Sequence, residues 1–272
     1  MKIIVYSKFP DERRKYTLAL DPSLKGLDMF RYNLPEKYRV LDGSTLKIIA
    51  CITMLIDHAA VCLIYNSILL PNAPIRHGTD LYNLYIFYKI LRAIGRTAFP
   101  IYCFLLIEGF FHTKSRSKYA LRLLVFGIVS EIPFDLCIYN EKWHPSYNNV
   151  YFTLFTGLLV IWAWDHFKDR WYIQLPIGTG LLYAAEFFHT DYGWKGVLLI
   201  FILYLMHAWR VPQVVFGLIS MYWEMPGVIL AFIPILFYSG KRGRQLKYFY
   251  YLFYPGHLML LYLLSVYFIN RI

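Results

Sequence analysis

Long apolar runs separated by short basic gaps dominate the pattern along this chain. They predict membrane-spanning helices over residues 46–70, 97–111, 119–139, 150–166, 172–188, 194–209, 211–223, 225–238 and 248–269. A full crossing needs about 20 residues, so 211–223 and 225–238, broken by Glu224 and Pro226, read as half-helices or tilted pieces. Residues 81–96 are rich in Tyr and carry Lys89, Arg92 and Arg96, which suits an interfacial helix leading into the second span. The pattern therefore predicts an all-α polytopic transmembrane helix bundle of about eight or nine spans.

Composition strengthens this reading. Hydrophobic residues make up 58% of the 272 and charged residues only 17%, too few polar groups to cover a soluble core of this size. The net charge of +11 could suggest nucleic acid, but a phosphate-binding stripe needs an exposed basic face. Here the basic residues crowd the gaps between apolar runs, and topology explains them better. If the amino terminus is cytoplasmic, the stretches 1–47, 112–122, 167–171, Arg210 and 240–247 share that side and hold 21 of the 28 Lys and Arg residues. That bias predicts a cytoplasmic amino terminus and, with nine spans, a carboxyl terminus outside.

Residues 1–44 are basic and contain no apolar core of a signal peptide, so the first long helix is expected to act as the insertion signal. The chain reads as this cytoplasmic or interfacial leader followed by one transmembrane domain over 45–272, without repeats or linkers. Cys51, Cys62, Cys103 and Cys137 lie inside apolar runs without CxxC spacing and read as small hydrophobes. No metal is expected, since no HExxH or related spacing occurs.

Ionisable groups inside lipid need a reason, because a central charge costs about 2.5–3.5 kcal/mol even on the gentler insertion scale. Asp57 and His58 fall in the first span, Arg96 opens the second and Glu108 closes it, Glu131 and Asp135 sit in the third, Glu186 in the fifth and His257 in the last. Together they predict a polar interior cavity. Glu131 and Asp135, four residues apart, share a helix face and repel unless a cation intervenes, and Arg96 is the expected cation, as buried anchor or as part of a site. Asp57 and His58 point about 100° apart on a helix, so each needs another partner. A neutral His in such a cavity can serve as general base toward an amine or hydroxyl, or be a satisfied core residue; both readings stand for His58 and His257.

Lys114, Arg116, Lys118 and Arg122 in one loop, and Lys241, Arg242, Arg244 and Lys247 in another, either hold the phosphates of a nucleotide-bearing donor or express the positive-inside bias. Neither GxGxxG nor GxxxxGK[ST] is present.

Several short blocks, taken in order, resemble one family. Leu46, Lys47, Ile48, Ile49 and Ala50 lead through Met54 to Asp57 and His58. Gly95 to Ile101 follow, then Glu108 to Phe110, Ser130 to Asp135, Asp191 to Gly193, Gly196 to Leu199, and Tyr254 to Leu258. Over roughly residues 40–265 the chain resembles the TraX family of conjugative-pilus acetylases, related in outline to polytopic transmembrane acyltransferases. Gly256 departs from the larger residue expected there, and leaves His257 aligned.

The resemblance implies an acetyl-CoA-dependent N- or O-acetyltransferase in the bacterial inner membrane. Its acceptor would be a pilin-like peptide amine or a carbohydrate hydroxyl. Carried over, His58 would be the base or transient acyl carrier with Asp57 beside it, supported by Arg96, Glu108, Glu131, Asp135 and His257. Lys114, Arg116, Lys118 and Arg242 would meet the donor's phosphates. Two rival readings remain: a small proton-coupled transporter or flippase, against which the missing repeat speaks, and a non-catalytic assembly factor for a surface appendage.

Overall fold

A computed structural model of the protein describes residues 35–244 and 247–269, so most of the leader read from 1–44 lies outside the described residues. Among those described the chain is all-helical, with no strand and two isolated bridges, Leu41 to Tyr238 and Asn148 to Thr190. Helix α1 (Gly43–Ala59) runs without a break into a π-helical segment (Ala60–Leu69), the two forming one 27-residue rod. Asp42 starts it by accepting from the Thr45 backbone N–H at 2.8 Å, an N-cap for an otherwise orphaned donor.

Helices α2 (Asp80–Gly95) and α3 (Ala98–His112) are parted only by a turn at Arg96 and Thr97 and together span 33 residues. The helix read over residues 81–96 is α2, which leads directly into α3 and packs along α1 and the π segment. Helix α4 (Arg116–Tyr139) begins on a Ser115 cap and ends at Asn140, whose left-handed φ of 57° closes the last turn. Then follow α5 (Val150–His166), α6 (Trp171–Phe187), α7 (Gly193–Leu205), α8 (Arg210–Ser220), α9 (Gly227–Leu236) and α10 (Lys247–Ile269). The short pieces read around Glu224 and Pro226 are α8 and α9, helices of 11 and 10 residues.

Among the described residues three rods are long and apolar enough to cross a membrane: Gly43–Leu69, Asp80–His112 and Phe249–Tyr267. Helix α3 is the axis of the core, with Phe99, Ile101, Cys103, Phe104, Leu106, Ile107 and Phe110 all buried. Helix α4 shows the reverse side of the same pattern. Its Leu121, Val125, Ile128, Val129 and Ile132 recur at helical spacing and all point outward, an exposed apolar stripe that water would penalise and lipid would not.

Connections gather at two ends of the bundle. At one, Gly43 N–H donates to the Lys241 carbonyl and Arg116 meets Asp165 at 2.6 Å. At the other, the Asn148 backbone N–H donates to the His189 carbonyl and Thr97 reaches the Gly227 carbonyl. Gly227 lets α9 approach α2 closely, since a Cβ there would lie 2.0 Å from the Ala93 carbonyl oxygen. Gly227→Ala is therefore expected to lower thermal stability in detergent by about 1–3 kcal/mol. Gly180→Ala, whose Cβ would meet nothing, should leave stability unchanged or raised; equal behaviour of the two variants would refute this close approach.

Candidate functional site

A cavity of about 590 Å³ opens between α1, the π segment, α2, α3, α4, α10 and the 190s turn. It reaches the surface beside the exposed Leu70 and Tyr147. Asp57, His58, Arg92, Arg96, Asp191 and Glu224 supply its charge and polarity, and Tyr65, Tyr88, Tyr102, Tyr139, Tyr147, Tyr192 and Tyr254 supply much of its wall.

His58, in its wall, meets His257 behind it, α1 to α10, with Nδ1 of His58 2.7 Å from Nε2 of His257. The rings stack at 5.0 Å. On its other side Nδ1 of His257 lies 2.7 Å from the Phe253 carbonyl oxygen, one helical turn back. A carbonyl only accepts, so His257 Nδ1 carries the hydrogen, and a neutral His257 then offers a bare Nε2. His58 must donate from Nδ1 to fill it, which leaves the lone pair of His58 on Nε2. One backbone carbonyl thus fixes the tautomers of both rings. His257 is only 5% exposed and does not line the cavity, so it orients, and His58 is the ring that faces the open space.

The neighbour of His58 is turned elsewhere, as helix geometry requires. Asp57 Oδ2 accepts from Arg92 Nη1 at 2.5 Å, and that approach depends on Gly95, where a Cβ would lie 2.2 Å from Asp57 Oδ1. One turn along α2, Arg96 reaches Glu224 at 3.2 Å and donates to the Tyr192 hydroxyl at 3.2 Å. Tyr192 is fixed in turn by flat stacking on Phe99, with ring centroids 3.6 Å apart. Four residues separate Arg92 from Arg96, placing both on one face of the helix.

Several expected site residues stand apart from this cavity. Arg96 is not the cation of Glu131 and Asp135. Glu131 instead accepts from both the side chain and the backbone N–H of Asn149, which also caps α5, and Asp135 Oδ2 accepts from His144 N–H at 2.9 Å. These two acids tie the 140–149 loop to α4. Glu108 lies near the opposite end of α3, held by His207 at 3.2 Å, the Tyr238 hydroxyl at 3.4 Å and Arg210 at 3.9 Å. Glu186 accepts from Trp194 N–H at the end of α6. Arg92, Asp191, Tyr192 and Glu224 complete the cavity in their place. The sequence marked Arg92 as interfacial and Glu224 as a helix breaker; the four-residue step to Arg96 was the signal for the first.

A second cavity of about 270 Å³ lies toward the other end, reaching the surface at the exposed His112 and Arg242. Lys47, Arg122, Arg242 and His112 line it with Tyr119, Tyr151, Tyr250 and Tyr251. Of the loop basics read from the sequence, Arg122 and Arg242 line it. Lys114 and Lys118 are exposed and outside its lining, and Arg116 is engaged with Asp165 and the Phe110 ring. Among the described residues Tyr102 alone lines both cavities. Among the described residues no cluster of His, Cys, Asp and Glu could hold a metal.

The Asp57 and Arg92 pair makes a direct prediction. Asp57→Asn and Arg92→Gln should each lower the unfolding temperature, and the double variant should lose less than their sum, with a coupling of about 0.5–3 kcal/mol. Strictly additive losses in a thermal-shift series would show that the contact stabilises nothing.

Comparison with known proteins adds a family to this geometry. The family model described as TraX protein matches residues 42–265. A probable fimbrial assembly protein FimC, serogroup H1, of Dichelobacter nodosus is 31% identical over 247 residues, covering 79% of this chain and 92% of the relative. No solved structure matches the chain. Matched over most of its length by the family model and along nearly the whole of this relative, the chain belongs to the TraX family.

Proposed function

We propose that the protein is a membrane-embedded acetyltransferase that moves an acetyl group from acetyl-CoA to an acceptor amine or hydroxyl in the larger cavity. The observation that carries this reading is the oriented His58 and His257 pair, which leaves a lone pair on a ring facing a roomy cleft. In this reading the helices cross the bacterial inner membrane about eight or nine times with the amino terminus cytoplasmic. The outward apolar stripe of α4 and the three long apolar rods support burial in lipid. A pilin-like peptide is the favoured acceptor, since the Dichelobacter relative bears the name of a fimbrial assembly protein.

Nε2 of His58 takes the proton of the acceptor N–H or O–H while the freed lone pair attacks the acetyl carbonyl carbon. A new C–N or C–O bond forms, the C–S bond breaks, and the departing sulfur receives the proton from His58. His257 accepts the Nδ1 hydrogen bond throughout and steadies the charged ring, with the Phe253 carbonyl behind it. Arg96, presented to the cavity by Tyr192 and Glu224, is placed to favour negative charge on the carbonyl oxygen. Three carboxylates, Asp57, Asp191 and Glu224, face two guanidiniums here, so the lining suits an amine or hydroxyl better than an anionic acceptor.

Purified protein supplied with labelled acetyl-CoA and candidate pilin peptides or glycans should yield acetylated acceptor, read by mass spectrometry. His58→Ala should cut the rate about 10²–10⁴-fold. His257→Ala should cut it less, since the base remains but loses its fixed tautomer. Transfer undiminished in His58→Ala removes the base from this scheme. No transfer at all, with solute flux in proteoliposomes that depends on His58, would favour a transporter.

A further inference from the structure

The second cavity has the opposite character from the first. Lys47, Arg122 and Arg242 bring three cationic side chains to its lining, with His112 beside them. Glu108, the one carboxylate among the described residues of its lining, is already held by His207, Arg210 and Tyr238. Nε of Arg122 is buried without a hydrogen-bond partner, while its guanidinium lies over the Tyr119 ring at 5.6 Å. A dense set of cations walled by tyrosines fits an anion with several charged oxygens and a stackable ring.

The two cavities also lie along one line. Lys47, Cys51, Met54 and His58 follow one another at steps of four, three and four residues, a single face of α1. Lys47 lines the basic cavity, Met54 and His58 line the larger one, and Cys51 Sγ lies 3.2 Å from the Tyr102 hydroxyl, the group shared by both. From Lys47 to His58 the helix rises about 16 Å. Tyr151, which lines the basic cavity, sits edge-on to Tyr254, which lines the larger one, with ring centroids 5.1 Å apart.

We infer that the second cavity is the donor site. Lys47, Arg122 and Arg242 bind the phosphates of a nucleotide thioester, and its extended thiol arm follows the Lys47, Cys51, Met54 and His58 face of α1 past Tyr102. This assignment rests on the acetyl-transfer reading, and makes Tyr102 a positioning residue at the neck between an anion-binding end and an acceptor-binding end.

The test is binding of CoA, adenosine 3′,5′-bisphosphate and inorganic phosphate by calorimetry to the full chain in zwitterionic nanodiscs, repeated with anionic lipid in place of the ligands. Arg122→Gln and Arg242→Gln should each weaken CoA about tenfold. Lys118→Gln, an exposed cation outside the cavity, should not change it. Tyr102→Trp, with the neck filled, should bring CoA affinity down to that of the bisphosphate and leave bisphosphate binding intact. CoA binding indifferent to Arg122 and Arg242 overturns the site, as does anionic lipid displacing CoA fully. Acetyl transfer lost in His58→Ala but with KM for acetyl-CoA unchanged in both Arg variants likewise overturns the site and leaves the reaction standing. CoA binding that needs both arginines in a protein that acetylates nothing keeps the site and sinks the reaction.

Discussion

A charge inside an apolar bundle survives only if another element answers it, and that constraint organises this molecule. Asp57 on α1 is answered by Arg92 on α2, Arg96 by Glu224 beyond α8, Glu108 by the α7–α8 connection, and Glu131 by Asn149 at the start of α5. Each pairing joins segments distant in sequence, so the polar groups act as registration marks between helices that apolar packing alone would let slide. Two of these pairings, Asp57 with Arg92 and Arg96 with Glu224, line the cavity beside His58.

The same constraint gives the histidines their directions. A backbone carbonyl on α10 has no freedom to change from acceptor to donor, so the hydrogen-bond sense runs one way from Phe253 through His257 to His58. Nothing comparable fixes Asp57 onto the imidazole next to it in sequence. The acid closest along the chain serves the neighbouring helix, and the ring's real partner is 199 residues away.

Hydropathy made the helical class, the first long rod, the short pair α8 and α9 and the last helix legible, because long apolar runs permit few alternatives. It also singled out His58 and His257 as ionisable groups in apolar surroundings. Pairing was not legible. Arg96 was matched to Glu131 and Asp135 by charge alone, although which helices touch depends on packing that no local pattern records. Arg92 was read by its flanking tyrosines as interfacial, and Glu224 by the adjacent Pro226 as a helix end. Loop basics were assigned to a donor by their density, and of these Arg122 and Arg242 line the second cavity, whereas Lys47, inside the first apolar helix, carried no such signal.

The π segment that follows His58 alters the phase of everything after it. Up to Val61 the cavity is lined at the α spacing of three or four, by Met54, Asp57, His58 and Val61; beyond it the steps widen to four and five, at Tyr65, Asn66 and Leu70. Asn66 thereby meets the carbonyls of Cys137 and Ile138 on α4, and Tyr65 stacks on Tyr88 of α2. A wide helix holds more residues per turn than a narrow one. Gaining or losing a single residue between 60 and 69 would therefore turn the screw rather than merely change its length, swinging Tyr65 and Asn66 off the wall while His58, upstream, kept its place.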